Sequence, residues 1–117
     1  MSWLHAIIPN PQDVLALEPE ELAAVILAQW NANPEGVKLN RHNFGLRYNV
    51  EGYPSEQQPQ LLYALMEVWA CLEAACLIAP QPSGAGSADW YFITRRGKLL
   101  RTRNEAEAYL RSRTLPG

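Results

Sequence analysis

The chain has 117 residues, 48% of them hydrophobic and 19% charged, with a formal net charge of -2. Those values describe a single domain over residues 1–117 with one modest core, not a disordered, fibrous or multidomain chain. No apolar run reaches the ~18 residues of a membrane span, and the first residues lack the basic region and small-residue cleavage site of a signal peptide, so no membrane partner and a cytoplasmic location are expected.

In chain order, Asn10-Pro11-Gln12-Asp13 combines a capping side chain, a proline at the first helical position and an acidic first turn, and predicts a short helix to about Leu17. Glu18-Pro19-Glu20-Glu21 repeats that logic and predicts a second helix to about Asn31. Leu22, Ile26 and Trp30 share one of its faces, with Ala23 and Leu27 widening the stripe. Asn33-Pro34-Glu35-Gly36 is turn chemistry. The segment from Asn40 to Tyr53 is irregular, with room for one short helix around Arg41–Arg47. A long helix is predicted from about Ser55–Pro59 to Cys76, because Leu61, Leu65, Trp69, Leu72 and Cys76 make one continuous apolar stripe.

Beyond it, Leu77-Ile78-Ala79 and Trp90 to Thr94 read as two strands of a hairpin, with residues 80–89 as a mobile connecting loop. Thr94 is placed to cap a helix of one to two turns reaching Leu100. Asn104 and Glu107 resemble a capping box for a last helix over about 104–113, and Thr114-Leu-Pro-Gly resembles the start of a linker. Cys71 and Cys76 fall in one predicted helix, where their Cα atoms would lie roughly 8–9 Å apart, too far for a disulfide. They read as small apolar residues. The tryptophans Trp3, Trp30, Trp69 and Trp90 read mostly as core anchors, an exposed Trp3 or Trp90 being instead the sign of an interface.

Charge is unevenly spread. Residues 1–90 carry ten acids and three bases, and residues 91–117 carry seven bases and two acids. Arg95, Arg96, Lys98, Arg101 and Arg103 follow the second strand with no acid among them. Such a cluster suits nucleic-acid phosphate, because lysine and arginine neutralising phosphates supply sequence-independent affinity. The alternatives are pairing with the acidic N-terminal part of the chain, a solvated face, or an acidic protein partner. Arg41, His42, Asn43, Arg47, Tyr48 and Asn49 form a second polar patch, from which Arg41 and Arg47 are candidates for backbone phosphate contact; the competing reading is a loop of locally satisfied amides. The long helix has no Lys or Arg, and its Glu56, Glu67 and Glu73 oppose phosphate, so the wing and tail are better candidates than this helix; Gln57, Gln58 and Gln60 at its start could reach bases, the competing reading being solvated side chains.

Enzyme signatures are lacking. Gly84 and Gly86 belong to no phosphate-loop pattern, Ser83 and Ser87 to no nucleophile elbow, and His5 and His42 to no metal or base constellation. The expectation is a non-enzymatic module with no catalytic residue, metal, cofactor or small-molecule substrate.

Four phrases share one resemblance: Leu15-x-Leu17-Glu-Pro-Glu-Glu-Leu22, Glu67-Val-Trp69-x-x-Leu72-Glu73-x-x-x-Leu77, Ile93-Thr94-Arg95-Arg96-Gly97, and Glu107-Ala-Tyr109 with Leu115-Pro116. Over about residues 10–116 the chain resembles the N-terminal winged-helix-like segment of bacterial Ymh-type proteins. In that family the segment precedes a C-terminal all-helical domain related to defence-associated HEPN proteins, and this chain ends about where that domain begins. The resemblance implies a mainly helical α+β fold: a winged helix-turn-helix with a two-stranded hairpin wing over about 77–94 and a C-terminal helix. It also implies a regulatory or targeting module connected with phage defence. Two functions follow as expectations. One is binding of double-stranded DNA or another nucleic acid. The other is a protein-interaction or homodimerising module.

Overall fold

In the computed structural model, which describes residues 2–82 and 89–114, helices α1 (Trp3–Ile7), α2 (Pro11–Ala16) and α3 (Pro19–Ala32) follow one another from the N-terminus. Two of them start where cap chemistry requires. The Asn10 side chain accepts the Gln12 N–H at 2.9 Å, and Glu21 accepts the Glu18 N–H at 2.8 Å. Helix α1 has no counterpart in the expectations; Ser2 caps it by accepting the His5 N–H at 3.2 Å. A short strand β1 (Leu39–Asn40), helix α4 (Arg41–Phe44), a 3-10 turn at Arg47–Val50 and the long helix α5 (Gln58–Ala74) complete the first part.

Helix α5 stops two residues before the predicted end. Cys76 lies in the left-handed region with φ of 61°. The Cys76 N–H bonds the Glu73 carbonyl at 3.0 Å, and the Leu77 N–H bonds the Leu72 carbonyl at 2.9 Å. This is the Schellman closure, with cysteine where glycine is usual. Cys76 is therefore exposed rather than part of the apolar stripe, while burial and the nearby Glu20 carboxylate push the half-buried Cys71 thiol up to about 11.

Strands β2 (Ile78–Pro80) and β3 (Trp90–Ile93) follow. The expected two-stranded hairpin is instead a three-stranded antiparallel sheet of order β1-β3-β2. The third strand forms because β3 offers its other edge to Leu39 and Asn40, opposite Tyr91 and Trp90. The loop expected over 80–89 falls partly, at 83–88, outside the described residues, as does the linker reading of 115–117. Helix α6 (Arg95–Leu99) has the predicted Thr94 cap. Helix α7 (Arg103–Thr114) does not start at an Asn104–Glu107 box. Thr102 and Glu105 form the box, with Glu105 N–H to Thr102 Oγ1 at 3.1 Å and Thr102 N–H to Glu105 Oε1 at 3.2 Å. Glu107 is engaged elsewhere, in ion pairs with Arg103 and Arg111 one turn away on either side.

The fold is thus mainly helical α+β, with α3 packed against both α5 and α7. Leu22, Ile26 and Leu27 of α3 meet Leu61, Leu65 and Leu72 of α5 in the fully buried core, which Leu110 of α7 closes. A chain of aromatic rings runs through it: Trp3 to Phe44 at 6.0 Å, Phe44 to Trp69 at 5.1 Å and Trp69 to Tyr91 at 4.9 Å between centroids. Trp69 is the buried anchor among the four tryptophans; Trp3 and Trp30 are half-buried, and Trp90 is exposed. Tyr53 fastens the N-terminal segment by donating its hydroxyl to the Ile8 carbonyl at 2.5 Å, and burial pushes its phenol up to about 12. No helix among the described residues is long and apolar enough to cross a membrane.

Candidate nucleic-acid interface

Strand β3 alternates, with Tyr91 and Ile93 inward and Trp90 and Phe92 on the outer face. The Tyr91 hydroxyl donates to Glu73 at 3.0 Å; burial first, and then that carboxylate, holds its phenol above the ordinary value. The strand ends at Thr94, which is fastened three ways. Its N–H bonds the Leu77 carbonyl at 3.0 Å, its hydroxyl donates to the Cys76 carbonyl at 2.8 Å, and its Oγ1 accepts the Gly97 N–H at 3.0 Å. Threonine thus stops the strand, caps α6 and ties both to the turn after α5.

Glycine at 97 lets α6 lie directly on that turn. A Cβ there would sit 2.4 Å from the Leu77 carbonyl oxygen and 2.8 Å from Ile93 Cγ2. Asn31 at the C-terminal end of α3 holds the far end of α6, donating from Nδ2 to the carbonyls of Gly97 and Leu100, both at 2.9 Å. With Gly97 inward, Arg95, Arg96 and Lys98 face out.

The five basic residues of this segment do not act alike. Lys98 and Arg101 line a cleft of about 370 Å³, walled by Val37, Leu39, Phe92 and Gln81, and among the described residues no carboxylate lines it. Arg95, Lys98 and Arg101 make no ion pair or side-chain hydrogen bond among the described residues. Arg96 turns the other way, donating to the Tyr109 hydroxyl at 2.9 Å with its guanidinium 5.8 Å from that ring. Arg103 pairs with Glu107 at 3.7 Å.

The second patch is also partly occupied. Arg41 pairs with Asp89 at 3.4 Å, and Arg47 donates to Gln58 at 3.0 Å. Neither lines the cleft of Lys98 and Arg101. Asn49 is a buried amide that donates to the carbonyls of Asn43, Phe44 and Leu46, so the satisfied-amide reading describes that residue. Sequence reasoning missed Phe92, Gln81 and Asn31 as companions of the cations. The alternation of β3 was the available sign for Phe92, whereas Asn31 and Gln81 come to the cleft only through tertiary packing.

An acid-free cleft with two cations over an aromatic and aliphatic floor can hold an anionic group whose remainder is flat or apolar. Among the described residues no three His, Cys, Asp or Glu side chains gather as a metal ion would require. No family model, curated protein or solved structure matches the chain.

Proposed function

We propose that this chain is a winged-helix recognition module that holds nucleic-acid backbone through Arg95, Lys98 and Arg101. The observation that carries the proposal is the acid-free cleft where Lys98 and Arg101, free of intramolecular partners among the described residues, stand beside Phe92. Element order supports the winged-helix part. Helix, strand, two helices and two further strands run from α3 to β3, and the sheet order places β3 between β1 and β2. In this reading the hairpin and α6 approach the duplex. Helix α5 does not read bases, since its outward positions include Tyr63, Glu67, Ala70 and Ala74 and it has no Lys or Arg.

The test is fluorescence anisotropy with labelled duplex DNA and duplex RNA across a salt series. Three neutralised phosphates give a log–log slope of about -3. The triple reversal Arg95→Glu, Lys98→Glu, Arg101→Glu should abolish binding. Absence of binding to either duplex at low salt would sink the proposal.

A second reading, a protein-interaction winged helix, draws on a different observation. Trp90 and Phe92 are each 39% exposed on the outer face of one strand. Light scattering that reports a dimer lost in Trp90→Ser, with no duplex affinity, would favour it.

A further inference from the structure

Residues Val37 and Leu39 wall the cationic cleft and also wall a second pocket, of about 330 Å³. Four aromatic side chains from four separate elements line this pocket: Trp3, Trp30, Phe44 and Tyr48. Trp3 is stacked on Phe44, and Trp30 meets the same ring edge-on at 5.9 Å. Amides supply the polar lining. Two of them are committed to the fold: Asn49 accepts the Trp3 Nε1–H at 2.9 Å, and Asn40 accepts the Asn43 N–H at 2.9 Å. Gln29, Asn33 and Asn43 also line the pocket, and their side-chain amides make no hydrogen bond among the described residues.

We infer that this pocket binds a nucleobase, with the attached phosphate toward Lys38. Aromatic walls favour a flat ligand. An uncommitted amide offers a donor and an acceptor side by side, the pattern that base edges present. Among the described residues Lys38 is the sole charged residue of the lining, and none supplies a carboxylate to favour a cationic ligand such as a quaternary ammonium. The volume lies at the lower end of the roughly 300–1,000 Å³ of small-molecule sites. A free mononucleotide and an unpaired nucleotide of a strand present the same chemistry here. The inference stands apart from duplex binding at the cationic cleft.

The test uses intrinsic tryptophan fluorescence, which Trp3 and Trp30 should report, and NMR signals of the Gln29, Asn33 and Asn43 side-chain amides. The probes are AMP, GMP, CMP and UMP, short unpaired oligonucleotides of each base, and ribose 5-phosphate. Saturable quenching and amide shifts are expected with at least one base-bearing probe and not with ribose 5-phosphate. Tyr48→Ala should weaken binding roughly tenfold, as removal of a stacking ring does. Tyr48 is 51% exposed, so circular dichroism should find the fold unchanged. Asn43→Ala should weaken binding and alter the order of preference among bases. The Arg95→Glu, Lys98→Glu, Arg101→Glu variant should bind mononucleotide as the parent does, which separates failure here from failure at the duplex site. Binding of mononucleotides without strands, or of both, identifies the source of the base. Equal binding of ribose 5-phosphate, insensitivity to both Tyr48→Ala and Asn43→Ala, or no saturable response at millimolar concentration overturns the inference.

Discussion

Helices α6 and α7 are neighbours in sequence and carry three basic residues each, yet Arg111 of α7 and Lys98 of α6 meet opposite fates. On α7, Arg111 reaches Glu18 at 3.0 Å and Glu21 at 3.6 Å across the packed α3, and it shares Glu107 with Arg103. On and just after α6, Lys98 and Arg101 look over Val37, Leu39 and Phe92, where among the described residues no acid lines the cleft. The difference is one of placement. Helix α7 lies along α3, whose acidic N-terminal turn supplies partners, whereas α6 is held by its glycine against the turn after α5. A basic run is therefore not yet a basic patch: Glu107 engages Arg103 and Tyr109 engages Arg96, while Arg95, Lys98 and Arg101 have no ion pair or side-chain hydrogen bond among the described residues. Within the run Arg103 takes an acid of its own helix, Glu107, while the pairing with the acidic N-terminal part falls to Arg111 beyond it.

The largest way to break this contrast is Gly97→Ala. Its Cβ would meet backbone at 2.4 Å, the Leu77 carbonyl oxygen, so neither side can yield by rotating a side chain. The expected loss is about 2–4 kcal/mol, read as a lowered urea midpoint with unchanged m. Duplex affinity should fall as well, because α6 must lift away from β3. An unchanged midpoint would mean that α6 is not seated as described.

Asn31→Ala is next. It removes both hydrogen bonds to the Gly97 and Leu100 carbonyls, for about 1–3 kcal/mol. Hydrogen exchange should quicken in α6 and remain slow in α7, since the clamp touches only the former. Equal acceleration in both helices would show that they open as one unit, contrary to the separation drawn above.

Much of this architecture is legible before folding. The Asn10, Glu18 and Thr94 starts carry their own cap chemistry, and the 3.6-residue stripe of Leu61, Leu65, Trp69 and Leu72 needs only α5 itself. What escaped depends on partners far along the chain. Leu39 and Asn40 form a strand only because β3 presents an edge to them, and two residues show no period. The end of α5 has no glycine to mark it, since Cys76 takes the left-handed position. Asn104 resembled a cap three residues before Glu107, but Thr102 stood three before Glu105 and held the stronger match to the Thr-x-x-Glu form. For the cleft, the cations were visible in sequence, but which of them lacked partners was not. The i,i+4 pair of Arg103 with Glu107 could be read from spacing, whereas the turn of Arg96 to Tyr109 belongs to how α6 sits beside α7.

The smallest expected effect gives the sharpest test of that partition. The hydrogen bond to Glu18, with the charges of Glu18 and Glu107, holds Arg111 more firmly protonated than an isolated guanidinium. These pairs are exposed, however, and water and salt screen them. Arg111→Ala should therefore cost little stability, and the loss should vanish at high salt. It should also leave duplex affinity and its salt slope unchanged. Lys98→Ala should leave stability unchanged while reducing the magnitude of the slope by about 0.9, the contribution of one phosphate contact. The two variants remove the same charge, so net charge cannot explain a difference between them. If both lowered the slope equally, duplex affinity would be following overall charge rather than the cleft, and the division between α6 and α7 would have no bearing on binding.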